Sequence, residues 1–120
     1  MKETEAQVLK TICQYLKIRG YFWWRQNNVG VYDQGKKIFR KCQYALPGIP
    51  DIFLMRRKHG SKHGDKFYQA QYVYEFIALE VKSANGRQSP EQKEFEEEFK
   101  KHGGTYLLAR SVYDVQQAGL

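Results

Sequence analysis

The sequence predicts an α/β fold of the α+β type: a central mixed β-sheet flanked by α-helices, in one domain of residues 1–120. Two segments place apolar residues at helical spacing behind a Ser/Thr-x-x-Gln capping signature. Between and after them lie short runs rich in aromatic and β-branched residues, bounded by Gly, Pro and Asn. The order is helix, strands, helix, strand, the pattern of a small sheet packed against helices.

Each element has its own signature. Residues 4–19 read as a helix: Thr4 is the N-cap with Gln7 three positions on, Val8, Leu9, Ile12 and Leu16 form the buried stripe, and Gly20 is the stop. Residues 21–25 are aromatic and strand-like, followed by the turn-rich Asn27-Asn28-Val29-Gly30. Asp33-Gln34-Gly35 is a further turn, leading into the basic run 36–41. A strand follows at 51–56, after the loop of residues 46–50 with its Pro and Gly. Residues 56–66, RRKHGSKHGDK, read as a loop or hairpin tip. Residues 72–82 form the longest strand, apolar on both faces and therefore central. Ser89 caps the second helix with Pro90 at its first position, and that helix runs to about Lys101. Residues 105–109 are a short buried strand, and 111–117 a last turn of helix.

Composition narrows the function. The chain is long enough for one hydrophobic core and too short for two. Nine tyrosines, seven phenylalanines and two tryptophans argue against disorder. A net charge of +7 points to a polyanionic partner such as nucleic acid, or to an anionic membrane surface. No apolar run approaches the roughly 20 residues of a membrane span, and MKETEAQ lacks a signal-peptide core, so a cytoplasmic setting is expected. Cys13 and Cys42 have no ligand-spaced partners, which excludes a structural zinc site. Both are expected to be reduced thiols.

The chemistry concentrates in Gly48-Ile49-Pro50-Asp51 and Glu80-Val81-Lys82. Side chains alternate along a strand, so Glu80 and Lys82 share a face, with Phe76 and Ala78. A run this apolar does not suit an exposed edge, which draws both charges inward. The rigid approach through Pro47 and Pro50 holds Asp51 at a strand mouth. Oxygen ligands for a hard cation beside an ammonium are what metal-assisted phosphodiester hydrolysis requires. Glu5 lies on the stripe of Val8, Leu9 and Ile12, and two readings stand: a solvated residue favouring the helix dipole, or a member of the carboxylate group. Gln92 is both the capping-box partner of Ser89 and, three and seven residues before Phe95 and Phe99, a residue of the buried helix face. His59, His63 and His102 sit in polar contexts beside glycines and read as solvated. No serine-hydrolase elbow or glycine-rich phosphate loop is present.

Taken together, Glu5, Pro50-Asp51, Glu80-Val81-Lys82 and Gln92 resemble the PD-(D/E)xK nuclease superfamily. More closely they resemble its VRR-NUC branch, which includes small stand-alone versions in phages and bacteria. The run Gly86-Arg87-Gln88-Ser89-Pro90-Glu91-Gln92 opening the second helix adds to the likeness, which extends from the first helix to about Ala109. The resemblance implies a restriction-endonuclease-like core and a magnesium-dependent DNA endonuclease, with manganese able to substitute. It implies metal ligation by Asp51, Glu80 and the Val81 carbonyl, with Glu5 as an outer or second-metal ligand. Lys82 would orient or deprotonate the attacking water, and Gln92 would hold water, metal or phosphate. It also implies a bacterial or phage-infected cell as the setting.

Basic residues outside the motif, Lys36, Lys37, Arg40, Lys41, Arg56, Arg57 and Lys58, with Lys62 and Lys66, are expected phosphate contacts. Arg87 is the candidate to grip the scissile strand. One site per small domain, against the symmetric strands of a branched junction, leads to a homodimeric enzyme of Holliday-junction-resolvase type without a small-molecule cofactor. The aromatics 21–24 serve either its dimer face or, by preference, the core. Two alternatives stand: a non-catalytic nucleic-acid-binding module of the same fold, and a sequence-specific restriction-type nuclease. The intact Asp, Glu and Lys set speaks against the first, and the want of an evident sequence-reading helix against the second.

Overall fold

A computed structural model of the protein describes residues 2–26, 31–36, 38–40, 44–59 and 72–120. Its elements are α1 (Glu5–Arg19), β1 (Phe22–Arg25), β2 (Val31–Asp33), β3 (Ile38–Arg40), β4 (Ile52–His59), β5 (Tyr72–Val81), α2 (Pro90–Lys101), β6 (Thr105–Ala109) and α3 (Val112–Gln117). Helix α1 starts where its cap dictates. The Thr4 hydroxyl accepts the Gln7 N–H at 3.2 Å, and the Gln7 amide oxygen accepts the Thr4 N–H at 2.8 Å. Such caps are each worth about 1 kcal/mol. Gly20, at φ 78°, turns the chain out of the helix in a conformation that glycine adopts without a Cβ penalty.

Four strands form one mixed sheet in the order β1-β4-β5-β6. The β1–β4 and β4–β5 pairs are antiparallel and the β5–β6 pair is parallel. A parallel neighbour needs a crossover, which α2 supplies between β5 and β6. Strands β2 and β3 pair separately as an antiparallel ribbon around the expected turn.

The sheet has two unlike faces. On one, Ile52 and Leu54 of β4 and Ile77, Leu79 and Val81 of β5 pack against Val8, Ile12 and Leu16 of α1, with Val115 and Leu120 closing the cluster. Complete burial of such side chains contributes about 1.5–3 kcal/mol each, so this layer carries the fold. Tyr21 and Trp23 pack at its margin, as core packing requires. The other face is aromatic: Trp24, Phe53 and Phe76 of the sheet meet Phe95 and Phe99 of α2. The Phe53–Phe76 and Phe95–Phe99 centroids lie 5.3 and 5.6 Å apart. Here cover is incomplete. An open groove of about 600 Å³ runs between Trp24, Leu46, Ile49, Phe53, Phe95 and Phe99, and Phe22 is 68% exposed.

Strand β4 corrects one boundary. It does not end at residue 56 but pairs with β5 through His59 opposite Tyr72, so Arg56, Arg57 and Lys58 are strand residues and not loop cations. The reason is cross-strand bonding. Arg56 donates from Nε and Nη2 to Glu75 Oε1 at 2.9 and 2.6 Å, and Thr105 donates to Glu75 Oε2 at 2.9 Å, which ties three adjacent strands. A residue-by-residue pattern of basic side chains gives no sign of such a partner nineteen positions away. Among the described residues, no helix is long and apolar enough to cross a membrane.

Candidate active site

The site forms where β4 begins and β5 ends. Ile52 pairs with Leu79, so one step outward Asp51 stands across from Glu80, both on the aromatic face. The approach to Asp51 is fixed by Gly48, whose φ is 72° and whose α-carbon lies so close to α2 that a Cβ would overlap the Glu91 carbonyl. Pro50 is fully buried beside it. The Asp51 carboxylate accepts the Val81 N–H at 2.8 Å, and its main-chain carbonyl accepts the Gln26 N–H at 2.8 Å.

Glu80 is 3% exposed. Its Oε1 accepts a hydrogen bond from Gln92 Nε2 at 3.0 Å and lies 3.6 Å from Lys82 Nζ. Its Oε2 is buried without a hydrogen-bond partner. Burial, and then the neighbouring Asp51, push the Glu80 carboxyl up to about 8 against the opposing pull of Lys82. Gln92 caps its helix and also reaches Glu80. Its main-chain N–H donates to the Ser89 hydroxyl at 3.1 Å and its amide oxygen accepts the Ser89 N–H at 2.9 Å. That leaves the amide NH₂ for Glu80.

Lys82 follows β5 directly, its side chain 14% exposed. The Val81–Lys82 peptide is trans and planar, so the Val81 carbonyl points opposite to the Lys82 N–H. That N–H donates to Ala109 of β6 at 3.0 Å, which turns the Val81 carbonyl toward β4 and Asp51. Two carboxylates and one carbonyl thus face a common space. The orphaned Glu80 Oε2 beside a second carboxylate suits either a proton or a hard cation, and this donor set fits a divalent metal.

Glu5 stands at the edge of this group. It is 54% exposed in the first turn of α1, yet its Oε1 lies 3.9 Å from Lys82 Nζ. Among the described residues, no third acidic, histidine or cysteine side chain joins Asp51 and Glu80 in a metal-binding group.

The expected DNA contacts are dispersed. Arg87 is exposed on the loop between Lys82 and α2, and Lys36 is exposed in the β2–β3 turn. Arg56 is spent on Glu75, and Lys58 Nζ lies 3.5 Å from the same carboxylate. Lys37, Lys41, Lys62, Lys66, Cys42, His63 and the Arg40 side chain lie outside the described residues. His102 is exposed at the C-cap of α2.

Two residues near the site, Tyr106 and Arg110, escape a reading of motifs, and Gln88 enters it only as part of the run that opens the second helix. Gln88 donates to Glu96 at 3.0 Å and to the Tyr106 hydroxyl at 3.1 Å. Tyr106 pairs with Ala78 and so shares the face of Glu80, and burial pushes its hydroxyl up to about 12. Arg110 follows β6 and donates to carbonyls of the loop after Lys82. Alternation along 105–110 is the one sequence signal that places Tyr106 and Arg110 on that face.

A carboxylate pair and a lysine at the mouth of a mixed sheet, closed by a helix start, define a core of the PD-(D/E)xK nuclease type. The family model of the VRR-NUC domain matches residues 3–113, and the chain belongs to that family. Comparison with curated proteins and with solved structures gives no match.

Proposed function

We propose that the protein is a divalent-cation-dependent DNA endonuclease, one domain over residues 1–120, that acts as a homodimer on branched DNA of the four-way-junction kind. The observation that carries the catalytic part is the Asp51–Glu80 pair, in which Glu80 Oε1 lies 3.6 Å from Lys82 Nζ while the buried Oε2 has no hydrogen-bond partner. Asp51, Glu80 and the Val81 carbonyl hold magnesium or manganese. The bound cation supplies charge neutralisation at the phosphodiester and a lowered pKa for bound water. Lys82 holds the attacking water and meets charge developing on the phosphate. Gln92 keeps Glu80 in place through its amide. Glu5, exposed 3.9 Å from Lys82, steadies the ammonium from the solvent side.

Arg87 contacts the scissile strand. Arg57 and Lys58 lie six and seven residues beyond Asp51, roughly 20–23 Å along β4 at the rise of a strand, and reach phosphates well away from the cut. The net charge of +7 supports this electrostatic part of binding. The exposed edge of the aromatic face, with Phe22, Met55 and Phe76, supplies the apolar surface of the dimer.

The test is cleavage of linear duplex, flap, single-stranded and four-way-junction DNA with magnesium, manganese or EDTA. Symmetric cation-dependent cuts confined to the junction are expected. Equal cutting of all four substrates removes the junction preference, and no cutting with either cation removes the nuclease. Sedimentation at working concentration checks the dimer, and a strict monomer overturns it.

A further inference from the structure

We propose that Arg110 is a positioning residue that sets the 82–89 loop and thereby aims Arg87 at the substrate. The β5–β6 ladder does not stop at its last pair, Val81 with Ala109, because the Lys82 N–H still donates to the Ala109 carbonyl at 3.0 Å. Arg110 therefore emerges beside Lys82. Its Nη1 donates to the main-chain carbonyls of Ser83 at 2.7 Å and Gly86 at 2.5 Å, with Ala84 at 3.4 Å. Carbonyl dipoles turned toward one point repel one another, and a guanidinium offsets that repulsion with charge and directed N–H groups.

The arginine is itself held in place. Its main-chain N–H donates to Asp114 Oδ2 at 2.8 Å, and the Asp114 N–H donates to the Ser111 hydroxyl at 3.3 Å. Apart from this strap, Gln88 ties the far end of the loop to Glu96 and Tyr106 at 3.0 and 3.1 Å. Ala84, Asn85 and Arg87 are exposed, and the Gly86 N–H donates to the Ser83 carbonyl at 3.1 Å within the turn. A segment without buried apolar contacts opens locally unless polar bonds close it. The loop runs from Lys82 to Ser89, the cap of α2, and Arg87 lies exposed two residues before that cap. A guanidinium anchored on β6 and α3 thus fixes the base from which Arg87 reaches out. The aiming rests on the nuclease reading given above, whereas the strap rests on these bonds alone.

The experiment is a double-mutant cycle on the full chain. Binding of a labelled four-way junction is measured in EDTA by anisotropy for wild type, R87A, R110A and the double variant, with magnesium-dependent cutting measured alongside. R87A and R110A are each expected to weaken binding about tenfold, and the double variant to bind no worse than R87A, because the two effects are one. Hydrogen exchange at the Gly86 amide, without DNA, is expected to speed up about tenfold or more in R110A while the Leu79 amide stays protected. R110K, which keeps the charge and loses the fork, is expected to fall between and serves if R110A fails to fold.

Multiplying effects in the double variant overturn the proposal, as does wild-type affinity in R110A or unchanged Gly86 exchange in both Arg110 variants. Wild-type affinity in R87A overturns the aiming. Magnesium-dependent cutting that persists in that variant then shows the nuclease reading intact, and its loss from every form, wild type included, shows that reading to be at fault.

Discussion

The Asp51 carboxylate accepts the Val81 main-chain N–H at 2.8 Å, fastening the residue before β4 to the last residue of β5. One oxygen of a candidate ligand is thus structural. Asp51→Asn keeps an acceptor for Val81 and removes the charge. It is expected to fold with a melting temperature near wild type and to lose magnesium-dependent cutting by about a thousandfold or more. Asp51→Ala is expected to lose cutting equally and about 1–3 kcal/mol of stability besides, since the Val81 N–H is left unpaired. Equal melting temperatures for the two variants would count against the structural bond.

Glu80 gives the protein a pH-dependent stability. Its carboxyl, near 4.5 ordinarily, is pushed up to about 8 in the fold. Between those values the folded chain holds a proton that the unfolded chain has released. The stabilisation is complete below about 4.5 and is lost as pH rises through about 8. Denaturant titration in EDTA is expected to give a midpoint that falls across this window. Glu80→Gln is expected to remove the slope and to gain roughly 2–4 kcal/mol at the alkaline end. Magnesium at pH 8 is expected to raise the wild-type midpoint and leave that of Glu80→Gln unmoved. A slope that survives in Glu80→Gln assigns the proton elsewhere.

Gly48 couples the motif loop to α2. Alanine there meets both a positive φ and the Glu91 main chain. Gly48→Ala is expected to cost about 2–4 kcal/mol, beyond the 1 kcal/mol of conformation alone, and to lower cutting by displacing Asp51 from Glu80. Gly20→Ala, where the same sign of φ meets open space, is expected to cost about 1 kcal/mol and leave cutting unchanged. Comparable losses from the two would show that the contact with α2 contributes nothing.

Arg56 separates structural charge from binding charge. Its ion pair with Glu75 is mostly shielded, at 15% and 18% side-chain exposure. Arg56→Met is expected to lower stability by about 1–3 kcal/mol without changing the salt dependence of DNA binding. Arg57→Ala and Lys58→Ala are each expected to reduce the log–log salt slope by about 0.9. A reduced slope in Arg56→Met would return that residue to the DNA surface.

Both long helices and the central strand were legible because each rests on short-range rules: caps, a helical stripe and strand alternation. The Asp51, Glu80, Lys82 and Gln92 set was legible through the order of its motifs and their resemblance to a family, and the fold brings these residues together. Gln92 was the clearest case, since its capping bonds occupy the main-chain N–H and the amide oxygen, leaving the NH₂ for Glu80. What escaped was set by partners distant in sequence. Nothing local reveals that Arg56 meets Glu75, that Arg110 reaches back to Ser83, or that Glu5 faces the lysine. The extent of β4 failed for the same reason, because a strand ends where its neighbour stops pairing and not where its own composition turns polar.

Strand β5 and the residue that follows it build the core and the site from alternate positions: Ile77, Leu79 and Val81 face one way, Glu80 and Lys82 the other. A slip by one residue would drive both charges into the aliphatic layer and turn three core side chains out of it. A misregistered chain therefore cannot be folded and half-active, because the same error dismantles both. The arrangement also limits how the site can change over generations. It can move along the strand only in steps of two, and a single-residue insertion within β5 costs the fold as well as the chemistry.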